Sequence, residues 1–224
     1  MQGRTRVDKR AERGELTRGR ILDAAELLFA ERGYHGVSLR DITALADVET
    51  ALASYHFGTK DKLFSAVIAR RADEHRLDLI DSLAAAHAEA APAVPSNRAL
   101  VRAYALPGVE KIGRGPGWAA YTKLAVMLQN LPANDEASGL GKALFDETIK
   151  LFVDAFLAAN PMLQREQVIN AVYFLHGALI HLLSQGQGLE WVDPAFAERD
   201  RVALVDDLAA FFDAGFAGMA ASRL

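Results

Sequence analysis

The feature that most constrains this chain is the stretch 38–60, where two brief apolar-periodic segments are separated by only three residues, Ala46-Asp47-Val48. Segments of so few residues cannot hold a helix alone in water, so each must be fixed by packing on a neighbour. Leu39, Ile42 and Leu45 give the first a buried side, and Val48, Leu52 and Phe57 do the same for the second. Asp47 tolerates the left-handed backbone that so tight a turn requires. The neighbour lies upstream: Ile21, Ala25, Leu28 and Phe29 form the i, i+4, i+7, i+8 stripe of an amphipathic helix, and Gly33 supplies its C-terminal cap. Ser38, with Asp41 three residues on, is a helix start signal. Three helices whose second and third meet across a three-residue break match a helix-turn-helix, which lays the last helix of the pair in the major groove of DNA.

Beyond this unit the pattern stays helical, with almost no strand alternation. Gly58-Thr59 restarts the chain, Thr59 serving as N-cap, and a long helix is predicted over 60–91 with Leu63, Phe64, Val67, Ile68, Leu79 and Leu83 on its stripe. At 1.5 Å per residue it would reach roughly 45 Å and could join two domains mechanically. Pro92 and Pro95 end it. Ser96 or Asn97 can cap a helix running to about residue 106. After a loop at 113–117, further helices are expected from Trp118 to about residue 131 and over about 136–159. The last two carry Val168, Ala171, Val172, Leu175, Leu179 and Leu182, then Val202, Val205, Leu208, Phe211, Phe212 and Phe216. Apolar residues on more than one face mark helices central to a core or buried against a partner. Small residues at Ala171, Gly177 and Ala178 would let helices cross closely. The expectation is an all-α chain of about nine helices: a basic flexible arm at 1–15, a helix-turn-helix domain at 16–63, and a helical domain at 64–224.

Composition removes several classes. The 51% hydrophobic and 24% charged fractions are ordinary for a globular protein. No apolar run reaches the roughly 18 residues of a membrane span, and the N-terminus is polar and arginine-rich, so a cytoplasmic protein without membrane contact is expected. Zero cysteines rule out disulfides, thiolate nucleophiles and cysteine-bound zinc. The net charge of -4 hides an asymmetry: the first twenty residues hold Arg4, Arg6, Lys9, Arg10, Arg13, Arg18 and Arg20 against Asp8, Glu12 and Glu15. A basic arm matters only where a DNA-reading element follows it, and here one does.

The outward residues of the third helix are Thr50, Ala51 and Ser54, small enough for close approach to base edges, where a hydroxyl bonds several acceptors and a methyl meets thymine. Arg40, near the start of the second helix, suits bidentate binding to guanine O6 and N7. Tyr55, His56 and Lys60 place a phenol, an imidazole and an ammonium within one turn, groups that suit phosphate oxygens and so set register rather than sequence. Phe57 reads as core.

The runs Arg20-Ile21-Leu22-Asp23-Ala24-Ala25, Leu28-Phe29-Ala30-Glu31-Arg32-Gly33-Tyr34, Val37-Ser38-Leu39-Arg40-Asp41-Ile42 and Tyr55-His56-Phe57-Gly58-Thr59-Lys60-Asp61-Lys62-Leu63 together resemble the TetR-family DNA-binding domain, nearly without gaps. The resemblance covers about residues 16–67. It implies base reading by Arg40, Thr50, Ala51 and Ser54 and phosphate contacts by Tyr55, His56 and Lys60. Asp47 stands where glycine is usual, and Glu49 where a small polar cap is common. The family likeness further implies a homodimer through the last two helices, a double-stranded palindromic operator, and a small, largely apolar effector bound in the helical domain to release the repressor. Tyr173-Phe174-Leu175-His176-Gly177-Ala178-Leu179 weakly resembles the family's fatty-acid-sensing branch.

Amphipathic aromatics and a buried imidazole can orient such a ligand. The candidates are Tyr104, Trp118, Tyr121, Met127, Phe152, Tyr173 and His176. His176 and His181, five residues apart, point about 140° from each other around a helix, so no metal is expected between them. No cofactor and no catalytic residue are expected. The sequence has no G-x-S-x-G turn, no H-E-x-x-H helix and no complete phosphate loop, and Asp135-Glu136 and Asp146-Glu147 read as solvated faces. A non-specific architectural binder would be basic throughout, whereas the part beyond residue 20 is acidic.

Overall fold

The computed structural model describes residues 6–129, 138–183 and 191–221, and every regular element among them is helical. Helix α1 (Arg6–Arg32) buries Ile21, Ala25, Leu28 and Phe29 and ends at Gly33, whose φ of 71° is left-handed. It starts ten residues before Leu16, so residues 6–15, expected as a flexible arm, continue the helix. Arg, Glu, Lys and Ala dominate that stretch and all favour helix, which outweighs the roughly 1 kcal/mol cost of Gly14. In α2 (Leu39–Leu45), Ser38 and Asp41 form a reciprocal capping box. Its hydrogen bonds hold the Asp41 carboxyl below the ordinary carboxylate range. The following turn has Asp47 at φ 51°, the left-handed geometry expected of it, and α3 (Thr50–Phe57) packs Ala53 and Phe57 inward.

Thr59 caps α4 (Lys60–Ala90), whose two halves lie in different cores. Leu63, Phe64, Val67 and Ile68 belong to the N-terminal cluster, while Leu79, Leu83 and Ala86 belong to the cluster of the C-terminal helices. Helix α5 (Asn97–Ile112) runs past residue 106, where it was expected to stop, with Pro107 inside it. Burial of Val101, Tyr104, Val109 and Lys111 along the helix offsets the one backbone bond that proline removes. Helix α6 (Pro116–Gln129) begins two residues before Trp118, because the fixed φ of a proline suits a helix's first position.

Helix α7 (Ser138–Ala159), α8 (Arg165–Leu183) and α9 (Arg201–Ala221) complete the C-terminal core with α5. Phe156 and Phe216 stack at its centre, 5.1 Å apart. Asp135 and Glu136, and the expected start of that helix at 136, lie outside the described residues. A short 3-10 turn, Pro194–Glu198, capped by Asp193, precedes α9. Among the described residues, Gly177 would have nothing within 4 Å of an added Cβ beyond its own helix. It shares an exposed face of α8 with Ile169, Tyr173 and Phe174, and Phe211 is likewise exposed on α9. Among the described residues no helix is long and apolar enough to cross a membrane.

Candidate nucleic-acid interface and helical-domain cavity

Because Ala53 and Phe57 anchor α3 inward, Thr50, Ala51, Ser54 and Tyr55 are left facing out, Tyr55 with 80% of its surface exposed. Arg40, on α2, is also exposed, and the half-buried His56 sets its ring 5.2 Å from that of Tyr55. These residues thus share one end of the molecule. The turn beneath them is held by Arg20, which donates to Asp47 O at 2.9 Å and Asp47 Oδ2 at 3.1 Å. Thr50 Oγ1 lies 3.1 Å from Thr43 Oγ1, and Thr43 has its own proton directed at the carbonyls of Leu39 and Arg40. Thr50 is therefore the donor of that pair, and its lone pairs remain for a base amine. Lys60 is not a simple solvated charge. Its Nζ donates to Val37 O at 2.8 Å and sits 4.1 Å over the Tyr34 ring, leaving the rest of its three N–H groups for another acceptor. Tyr34 in turn hydrogen-bonds Asp61. Glu49 is the N-cap of α3 without a side-chain capping bond, so its carboxylate stays exposed beside the outward face.

A cavity of about 340 Å³ opens between α4, α5, α6, α7 and α8. Tyr104, Trp118, Tyr121, Tyr173 and His176 line it, as do His75 and Lys111, which the sequence did not single out. Phe152 is fully buried behind the wall, edge-on to Tyr104 at 5.0 Å. Met127 is not on the cavity. Nine residues after Trp118, it falls on the opposite side of α6 and packs against the N-terminal core.

Two polar centres sit in this cavity. At one, Tyr104 Oη and His176 Nδ1 are 2.7 Å apart. Burial pushes the Tyr104 phenol up and the His176 imidazole down, so both are neutral near pH 7 and either can donate in this bond, according to the imidazole tautomer. At the other, Lys111 is 2% exposed, with Nζ 2.7 Å from Asp78 Oδ2 and 4.0 Å over the Trp118 ring. Burial, reinforced by that ammonium, lowers His75 to about 4, so its imidazole is neutral near pH 7.

A charged clamp joins the cavity to the N-terminal helices. Glu26 of α1 is buried and accepts from Arg70 Nη2 at 2.8 Å, Arg71 Nε at 2.5 Å and Arg71 Nη2 at 2.9 Å. Arg71 also lies 5.0 Å over the Trp118 ring. A Cβ at Gly117 would come within 2.0 Å of Arg71 Nη2 and 3.0 Å of Glu26 Oε2, so any side chain there would displace the clamp. Helix α6 continues the connection: Trp118, Tyr121 and Leu128 face the cavity, while Leu124 and Leu128 sit in the N-terminal core.

Residues 21–67 match the family model described as bacterial regulatory proteins, tetR family, and residues 102–215 match that described as tetracyclin repressor-like, C-terminal domain. The chain is 54% identical over 48 residues to the HTH-type transcriptional repressor Rv3405c of Mycobacterium tuberculosis, covering 21% of this chain and 26% of that one. It is 37% identical over 59 residues to the HTH-type transcriptional repressor NicS of Pseudomonas putida, covering 26% and 28%. The chain thus spans about a quarter of the length of these curated relatives. Among solved structures, the fatty acid degradation regulator FadR of Bacillus halodurans aligns with a TM-score of 0.64 at 18% identity, over 89% of this chain and 95% of that one. FadR of Bacillus subtilis in complex with stearoyl-CoA aligns with a TM-score of 0.62 at 16% identity, over 88% and 98%. At these identities the likeness is one of fold.

Proposed function

The chain belongs to the tetR family of DNA-binding bacterial transcriptional regulators, and on that premise we propose that it is a dimeric repressor released from a palindromic operator by a small, largely apolar effector. The observation that carries this reading is that α4 and α6 each contribute to both the N-terminal core and the cavity wall. An occupant that binds one arrangement of these helices more tightly than the other shifts the N-terminal domain with them, and only such differential binding can do so. Arg40, Thr50, Ala51 and Ser54 are assigned to base reading. Tyr55, His56 and Lys60 are assigned to phosphate, Lys60 through the N–H groups that Val37 does not use. The exposed apolar faces of α8 and α9, with Ile169, Phe174 and Phe211, are assigned to the partner subunit, which would set two α3 helices on successive major-groove faces.

Footprinting on the gene's own upstream region tests the reading. A protected two-fold site is expected, lost in Tyr55→Ala and with altered base preference in Arg40→Ala. Protection without sequence preference, or none at all, refutes it.

A further inference from the structure

The cavity has a polarity beyond what an apolar effector needs. Lys111 is enclosed, and its ammonium, though in ion-pair contact with Asp78, makes no hydrogen bond of good geometry among the described residues. A buried donor left in that state costs free energy that a ligand acceptor would recover. The charges around it form a chain of ion pairs. Lys111 and Arg114 approach Asp78 at 2.7 and 3.9 Å, and across Trp118 the guanidiniums of Arg70 and Arg71 meet Glu26 and Asp23. Glu74 also acts on Arg71, so the four cations of this chain of contacts face four anions and none is in surplus. The half-buried Asp146 lines the α7 wall outside it. His75 adds no charge near pH 7. At the other polar centre, the hydrogen-bonded pair Tyr104 and His176 lines the cavity. Tyr121, Leu79, Leu179 and Leu183 supply apolar lining to the same cavity.

We infer that the effector carries an anionic acceptor, a carboxylate in its simplest form, that seats on Lys111 at the Trp118 end of the cavity, with an apolar body running along Tyr121 toward His176. The inference rests on the effector reading above and names the chemistry of that site. It also gives the ligand a point of purchase on the transmission path. A carboxylate competing with Asp78 for Lys111 disturbs the ammonium that lies on Trp118, and Trp118 packs on the Arg71 that holds Glu26.

Titration calorimetry on the full chain with a matched pair of probes, 4-butylbenzoate and 4-butylbenzyl alcohol, tests it at pH 7. The two share one body and differ in the charged head. The acid is expected to bind at least about tenfold more tightly than the alcohol, the contribution of one charge-assisted hydrogen bond. Lys111→Met should abolish that preference, Lys111→Arg should retain it, and Val126→Phe, which fills the cavity, should weaken both probes. Equal binding of the two by the unaltered protein, or an acid preference that survives in Lys111→Met, overturns the anionic-head inference while leaving the effector reading in place. Binding of neither probe removes the effector reading itself, and this inference with it. The comparison on the unaltered protein decides the matter even where a variant fails to fold.

Discussion

Glu26→Gln gives the sharpest view of how the N-terminal domain is held. The substitution preserves shape but replaces a buried carboxylate that accepts three guanidinium hydrogen bonds with an amide whose nitrogen can accept none of them. Breaking one side of a fully buried ion pair costs about 3–5 kcal/mol. Here Arg70 and Arg71 keep 27% and 20% of their side-chain surface exposed, so water partly compensates them, and a loss of about 2 kcal/mol is expected. For a chain of this length that corresponds to a fall in melting temperature of roughly 4–8 °C. Calorimetry, with urea unfolding to show that the midpoint falls at constant slope, measures it. Asp23→Asn is the control: its carboxylate contacts the same Arg70 but is exposed, and a change of less than about 0.5 kcal/mol is expected. A Glu26→Gln loss no larger than that of Asp23→Asn would refute the clamp.

Lys60→Ala should weaken binding to all duplexes alike and reduce the slope of log affinity against log salt by about 0.9; a changed base preference would show that Lys60 reads sequence instead. Thr50→Val keeps the shape but removes the acceptor that its bond to Thr43 leaves outward, so selection experiments should show relaxed preference at one base pair, worth about 1–3 kcal/mol. Unchanged selectivity would contradict that placement. His75 titrates near 4 when folded and near 6.5 when unfolded, so between those values the unfolded chain binds the proton and the folded chain does not. Stability therefore rises with pH across this window, by about 3 kcal/mol from this group, and is lost on acidification. Urea unfolding at pH 4.5 and 7 should show a smaller difference in His75→Gln, and an unaltered difference would contradict the buried neutral imidazole.

The helix-turn-helix was legible because its signals are local. Ser38 and Asp41 make the capping box their spacing announces, and Asp47 takes up the left-handed turn expected of it. The extent of α1 was missed because Gly14 is only a weak break, and the helix-forming residues before it read equally well as a charged arm. Pro107 misled in the opposite direction, since tertiary burial overrides a local stop signal. In the cavity, residues drew notice by type alone; Tyr104 and Trp118 line it, whereas Met127 lies on the other face of α6 and packs on the N-terminal core. Lys111 left no trace, because the helix was expected to stop near residue 106 and a lysine beyond it reads as a solvated charge. Glu26 looked like one polar interval in an apolar run. Its partners stand more than forty positions away, a distance that no periodicity reports.

If α4 and α6 join cavity and DNA face into one device, occupation of each site must alter the other by the same factor. The direct measurement is of both affinities in one preparation: operator duplex with and without saturating 4-butylbenzoate, and 4-butylbenzoate with and without saturating operator. Both should weaken by an equal factor of about 5–150. A DNA-bound protein that takes up the probe as tightly as the free protein does would contradict the coupling.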